Sequence, residues 1–159
     1  MLPVSQSAEI ESFLDKYSPE IAAQLREARS HLAGHFPHGF ELVYDNYNAL
    51  VFAFGSSERS SGAVLSLAAY PGWVTLFFAD GRALEDPEHL LEGAGVAIRS
   101  LRLKPLARLY EPGVQALIAA AKARALDALD MAPPLSTLVK SISARHRARR
   151  PTADERGQR

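Results

Sequence analysis

The chain has 159 residues, no net charge and no cysteine. That length suits one domain, and the lack of thiols excludes disulfides, thiol nucleophiles and cysteine-ligated metal centres. With 47% apolar and 23% charged residues, the composition is that of a globular protein able to bury a core. No apolar run reaches the ~18 residues of a membrane span, and the first ten residues lack a signal-peptide core, so a cytoplasmic protein that does not bind membranes is expected. The neutral balance hides an asymmetry. Residues 140–159 carry seven Lys/Arg against two Asp/Glu, and residues 1–139 carry eleven against sixteen. A mildly acidic body therefore bears a basic tail.

Ser7 reads as the N-cap of a first helix, with Ile10, Phe13, Leu14 and Tyr17 on one apolar stripe. Ser18-Pro19-Glu20 restarts a helix: a cap, a proline in the first turn, and an acid near the positive dipole end. Ile21, Leu25, Ala28 and Leu32 line its buried side, and Gly34 and Pro37 end it. Residues 40–45 and 48–54 read as strands around an Asp45-Asn46-Tyr47-Asn48 turn. Residues 55–62 form a solvated loop.

Residues 63–80 read as a hairpin about Pro71-Gly72, with Tyr70 facing Trp73. Its register puts Leu65, Leu67, Ala69, Val74, Leu76 and Phe78 on one apolar face. Tyr70, Trp73, Thr75 and Phe77 fall on the other. Asp86-Pro87-Glu88 suggests a two-turn helix ending at Gly93, and residues 96–103 a fifth strand. Glu111-Pro112 opens a long helix with Val114, Leu117, Ile118, Ala121, Ala125 and Leu129 on its apolar side. Pro133-Pro134 breaks it. Residues 135–143 form one more short element. The expected fold is α+β: an antiparallel sheet of about five strands, with two N-terminal helices and one long C-terminal helix packed on one face. Residues 1–143 make the domain, and residues 144–159 a disordered basic tail dispensable for folding.

The segment DPEHLLEGAGVAIRSLRLKPLARLYEPGVQALIAAA, residues 86–121, resembles the YdhG-like domains of unknown function. So does VYDNYNALVFAF, residues 43–54, followed by a hairpin. Leu91-Glu92-Gly93 before the strand with Ile98-Arg99, then Pro112 opening a helix with Leu117-Ile118, carry the likeness, which spans about residues 10–124. It implies a frataxin-like layout and, from one branch of the family, an iron chaperone. This chain departs from the family at two places. Tyr70-Pro71-Gly72-Trp73 stands where members commonly have a basic residue and His, and Val96 stands where they often have Lys.

Five clusters carry candidate chemistry. Tyr44, Asp45, Tyr47 and Asn48 offer a carboxylate, two phenols and an amide for a polar ligand, with no base or nucleophile assigned. Tyr70, Trp73 and Phe77 offer an interface. Glu11 and Asp15, four apart on one helix face, are the favoured weak metal site, because hard oxygen ligands suit iron. His31 and His35 share a helix face with His38 nearby, but a histidine at a helix C-terminus is favourable without any metal. Arg102, Lys104 and the run Arg145-His146-Arg147 to Arg150 are basic. The neutral balance and acidic body argue against a nucleic-acid partner. The reading is a non-enzymatic binding or accessory protein without a resident cofactor, whose partner is a protein, a small molecule or a second copy. The alternatives are frataxin-like iron binding, and an enzyme acting on a small polar substrate at the Tyr44–Asn48 turn.

Overall fold

In the computed structural model, residues 4–151 are described. Helices α1 (Val4–Leu14) and α2 (Pro19–His35) lead. Strands β1 (Phe40–Asp45), β2 (Leu50–Gly55), β3 (Ala63–Ala69), β4 (Val74–Phe78) and β5 (Arg99–Leu103) follow. Helices α3 (Pro112–Arg124) and α4 (Leu126–Asp130) precede a last strand, β6 (Ser136–Ile142). The start of α2 forms as its residues dictate: the Ser18 hydroxyl accepts the Ile21 N–H at 3.3 Å, and Pro19 sits in the first turn.

The sheet has six strands in the order β5-β4-β3-β2-β1-β6. Strands β1 to β5 pair antiparallel with their neighbours, but β6 pairs parallel with β1. The sheet is therefore mixed and one strand wider than expected. Hairpin turns give the β1–β2 and β3–β4 antiparallel pairs, whereas the chain between the parallel partners β1 and β6 is a long crossover that ends through α3 and α4, as parallel pairing requires. The long C-terminal helix is interrupted at Ala125, where φ is −111° and ψ 10°.

No helix forms after Asp86-Pro87. The Asp86 carboxylate accepts the Leu90 and Leu91 N–H groups at 2.9 and 2.8 Å, but His89 turns to φ 55° and Gly93 to φ 134°. Leu90 and Leu91 instead pack on the core. Glu92 exchanges two 2.8 Å backbone bonds with Ser100, which covers part of the outer edge of β5. Strand β5 thus begins at Arg99, and Val96 is left exposed.

The hairpin follows its alternation. Leu65 faces Phe78, Leu67 faces Leu76 and Ala69 faces Val74, and all six are buried. The Tyr70 N–H donates to the Trp73 carbonyl at 2.9 Å. Ile10, Phe13 and Leu14 of α1, Leu25 and Leu32 of α2, and Leu117 and Ile118 of α3 join these strand residues in one core. Leu42, Ala53 and Ala68 are buried but lie outside that core, on the opposite face of the sheet. The helices therefore pack on one face only. No described helix is long and apolar enough to cross a membrane.

The register fixes which turns are neighbours. Asp45 lies opposite Leu50, Leu50 opposite Ala69, Ala69 opposite Val74, Val74 opposite Leu103, and Asp45 opposite Ile142. The β1–β2 turn, the β3–β4 turn, the end of β5 and the exit of β6 thus share one end of the sheet. The disordered tail expected from residue 144 does not hold for residues 144–151, which bond to that end through His146, Arg147, Arg149 and Arg150. Residues 152–159 lie outside the described residues.

Leu76→Ala should remove about 2–5 kcal/mol of stability, the range for a large-to-small change in a packed core. Urea denaturation measures it. A loss under ~0.5 kcal/mol, the scale of surface changes, would reverse the assigned faces.

Candidate functional site

Alternation along β1 sends Glu41, Val43 and Asp45 towards the helices. Val43 joins the core, so the two carboxylates beside it are buried as well. Asp45 has no exposed surface. Arg149, 4% exposed, donates through Nη2 to its Oδ1 at 3.0 Å. The same guanidinium donates to the carbonyl of Tyr47 at 3.1 Å and to that of Asn46. Lys16 Nζ and His146 Nε2 lie 3.6 and 3.2 Å from Oδ2, while the imidazole's hydrogen-bond contact is the Asp45 carbonyl oxygen, 3.1 Å away. Backbone bonds from Ser143 N–H to the Asp45 carbonyl and from Arg147 N–H to the Tyr47 carbonyl, at 2.9 and 2.8 Å, extend the contact. Arg150 donates to the carbonyls of Lys16 and Asp15.

Tyr17, at the end of the α1 turn, lies beneath this cluster. Its hydroxyl donates to the Ala69 carbonyl at 2.6 Å and accepts the Leu50 N–H at 3.1 Å, tying β3 to β2. Burial pushes its pKa up to about 12 against the opposing pull of Arg149.

Of the four turn residues, Asp45 is withdrawn into the fold. Tyr47 and Asn48 are exposed, and Tyr44 is half-buried on the outer face. The partners that claim Asp45 come from both ends of the chain, which local turn chemistry does not reveal. One signal was present: Asp45 shares parity with Val43, so it had to point inward and needed a cation.

Glu41 meets the same need locally. Arg29 of α2 grips it with two 2.8 Å bonds, Thr137 of β6 adds one at 2.6 Å, and the guanidinium lies 4.7 Å from the Phe52 ring centroid. This pair lines a cleft of about 420 Å³ that Glu11 and Arg26 also border. Glu11 and Arg26 pair at 2.8 Å, so these four charges already satisfy one another.

That pairing bears on the metal candidates. Glu11 faces Arg26, and Asp15 is exposed. Among the described residues, no group of three or more His, Asp or Glu is placed to hold a metal ion. His31 and His35 do come together, with ring centroids 5.0 Å apart. His31 Nε2 lies 2.9 Å from the Gln115 amide nitrogen, and burial, then Lys122, holds the His35 pKa below the usual histidine value. His38 stands apart, its Nδ1 2.9 Å from the Ala132 carbonyl oxygen. The histidines join α2 to the segment around α3.

Tyr70, Trp73 and Phe77 are half-buried on the outer face. Residues 135–143 do not cap them, because β6 forms at the far side of the sheet beyond β1. The Arg102 guanidinium lies 3.8 Å from the Trp73 ring centroid, Lys104 Nζ 5.9 Å from it, and the Tyr70 ring 5.7 Å. The only acids in the six strands are Glu41 and Asp45, and both are buried on the helix side. The outer strand positions therefore carry aromatics, small residues and cations, but no carboxylate. No protein-family model, curated protein or solved structure matches the chain.

Arg149→Ala should cost about 3–5 kcal/mol, because it strands a buried carboxylate. Truncation after Ser143 should cost a similar amount. Unfolding of both variants in urea checks this, and an unchanged midpoint would mean the tail does not hold Asp45.

Tyr17 also makes stability depend on alkaline pH. Its folded pKa is raised above the ordinary phenol value, so its contribution is complete below about pH 10 and is lost between about pH 10 and 12. A phenolate absorbance titration should show one tyrosine ionising last, together with loss of fold. Tyr17→Phe should remove that late ionisation.

Proposed function

We propose that this protein is a non-enzymatic binding module that takes its partner on the open face of the sheet, at the end where the β1–β2 and β3–β4 turns meet. One observation carries the reading: a sheet face that no described helix covers bears Tyr70, Trp73 and Phe77 beside Arg102 and carries no acid. Rigid aromatics with cations next to them are the composition of recognition surfaces. The likeness to YdhG-like domains is part of this proposal and rests on the quoted segments alone. Catalysis at the Tyr44–Asn48 turn is the weaker reading, since its carboxylate is fully buried and paired with Arg149. Iron handling is weaker too, since Glu11 is engaged by Arg26.

Melting shifts of the wild type and of Trp73→Ala/Phe77→Ala should be compared across an anionic oligonucleotide, an acidic peptide and ferrous iron. The expected outcome is a ligand that raises the wild-type midpoint and leaves the variant unmoved. Ferrous iron stabilising both proteins equally, and neither once Glu11→Gln/Asp15→Asn is added, would overturn the reading in favour of iron.

A further inference from the structure

We propose that the ligand of this face is single-stranded nucleic acid, with bases stacking on Trp73 and Tyr70 and phosphates held by the cations that flank them. The inference rests on the binding-module reading and adds the chemistry of the partner. Four groups that lie apart in the chain meet at one end of the sheet. In strand order, Arg102 and Lys104 stand at the end of β5, Trp73 and Tyr70 on the β4–β3 turn, and Tyr47 on the β2–β1 turn. Beyond β6 the chain folds back, so that Arg147, with Arg145 two residues before it, returns to the β1–β2 turn, where the Arg147 N–H donates to the Tyr47 carbonyl. From β5 to β1, four strand spacings of ~4.8 Å make this row about 19 Å long, enough for a few nucleotides lying across the strands.

The chemistry of the row is one-sided. Arg102, Lys104, Arg145 and Arg147 are exposed, and none of them is in ion-pair range of a carboxylate among the described residues. Asp45, the acid at this end of the strands, is buried under Arg149. The strand acids therefore add no negative charge to the outer face at this end. The acids of the strands point inward, and residues 144–151 are folded back to the same end of the sheet.

Flat aromatic faces beside unpaired cations are what a single strand needs. Every base presents a stacking face, and the backbone is a line of charge. Arg102 lies over the Trp73 ring, with no ion-pair partner among the described residues. A base can take that ring face while the guanidinium turns to a phosphate.

Other occupants fit less well. An acidic peptide would use the cations and leave the rings unstacked. A second copy docking through the same patch would bring Arg102 and Lys104 of both copies to one contact, since a two-fold interface pairs a surface with itself.

Trp73 is the only tryptophan, so its fluorescence reports on the site. The probes are oligothymidylate and oligouridylate of about 12 nucleotides, within the length one single-strand site covers. Both should quench Trp73. Affinity should fall with salt by a log–log slope of about −0.7 for each phosphate contact. Arg102→Gln/Lys104→Gln should weaken binding at least about tenfold and flatten the slope by about one contact or more. Lys122→Gln, on α3 and away from this end, should bind as the wild type does. Trp73→Phe, followed by anisotropy of a labelled oligonucleotide, should bind more tightly than Trp73→Ala.

No quenching by either probe at low salt would overturn the inference. So would affinity unchanged in the Arg102/Lys104 variant. Polyglutamate quenching as strongly as the oligonucleotides, or a dimer dissociated by Trp73→Ala, would overturn the nucleic-acid assignment and leave the binding face standing. A monomer with no ligand at this face in any arm would remove both.

Discussion

A carboxylate with no exposed surface needs a cation beside it, and Asp45 draws basic neighbours from both ends of the chain. Lys16 approaches from the α1 turn, and Arg149 and His146 arrive from beyond β6. Removing two charges from water costs several kcal/mol for each ion, so such a pair adds little net stability. What it contributes is position. It holds the segment after β6 against the β1–β2 turn. Arg149 reaches the carbonyls of Asn46 and Tyr47 in the same contact, so the turn and the tail form one unit.

The charge on the outer face follows from that burial. Period-two alternation allows the strands only two faces, and the two strand acids both point to the helix side. Arg29 neutralises one and Arg149 the other. The strand positions of the outer face of an overall neutral chain thereby carry no carboxylate, while most of its acids lie outside the strands. Net charge describes the whole molecule, but a ligand meets the local arrangement.

The pairs elsewhere give the remaining polar clusters structural work. Glu11–Arg26 and Glu41–Arg29 lie along the groove between α2 and the sheet edge. His31, Gln115, Tyr110 and Glu27 link α2 to the start of α3, with Gln115 donating to the Leu109 carbonyl and Tyr110 to Glu27, each at 2.7 Å. The aromatics on the outer face are different. Arg102 and Lys104 flank the Trp73 ring, and neither is in ion-pair range of an acid among the described residues.

The sequence alone determined what short-range periodicity can encode. The faces of the 63–80 hairpin, the capped start of α2 at Ser18 and the α+β class were all legible, because each depends on neighbours in the chain. It did not determine the parallel pairing of β6, the loop in place of a helix after Asp86, or the docking of residues 144–151. Those depend on partners far away in sequence: β1 for β6, Ser100 for Glu92, and Asp45 for Arg149. The candidate surface divides in the same way. Its aromatics and cations were each visible as separate runs. Only the strand order and register, set by long-range pairing, decided that Trp73, Tyr47, Lys104 and Arg147 share one end of one sheet.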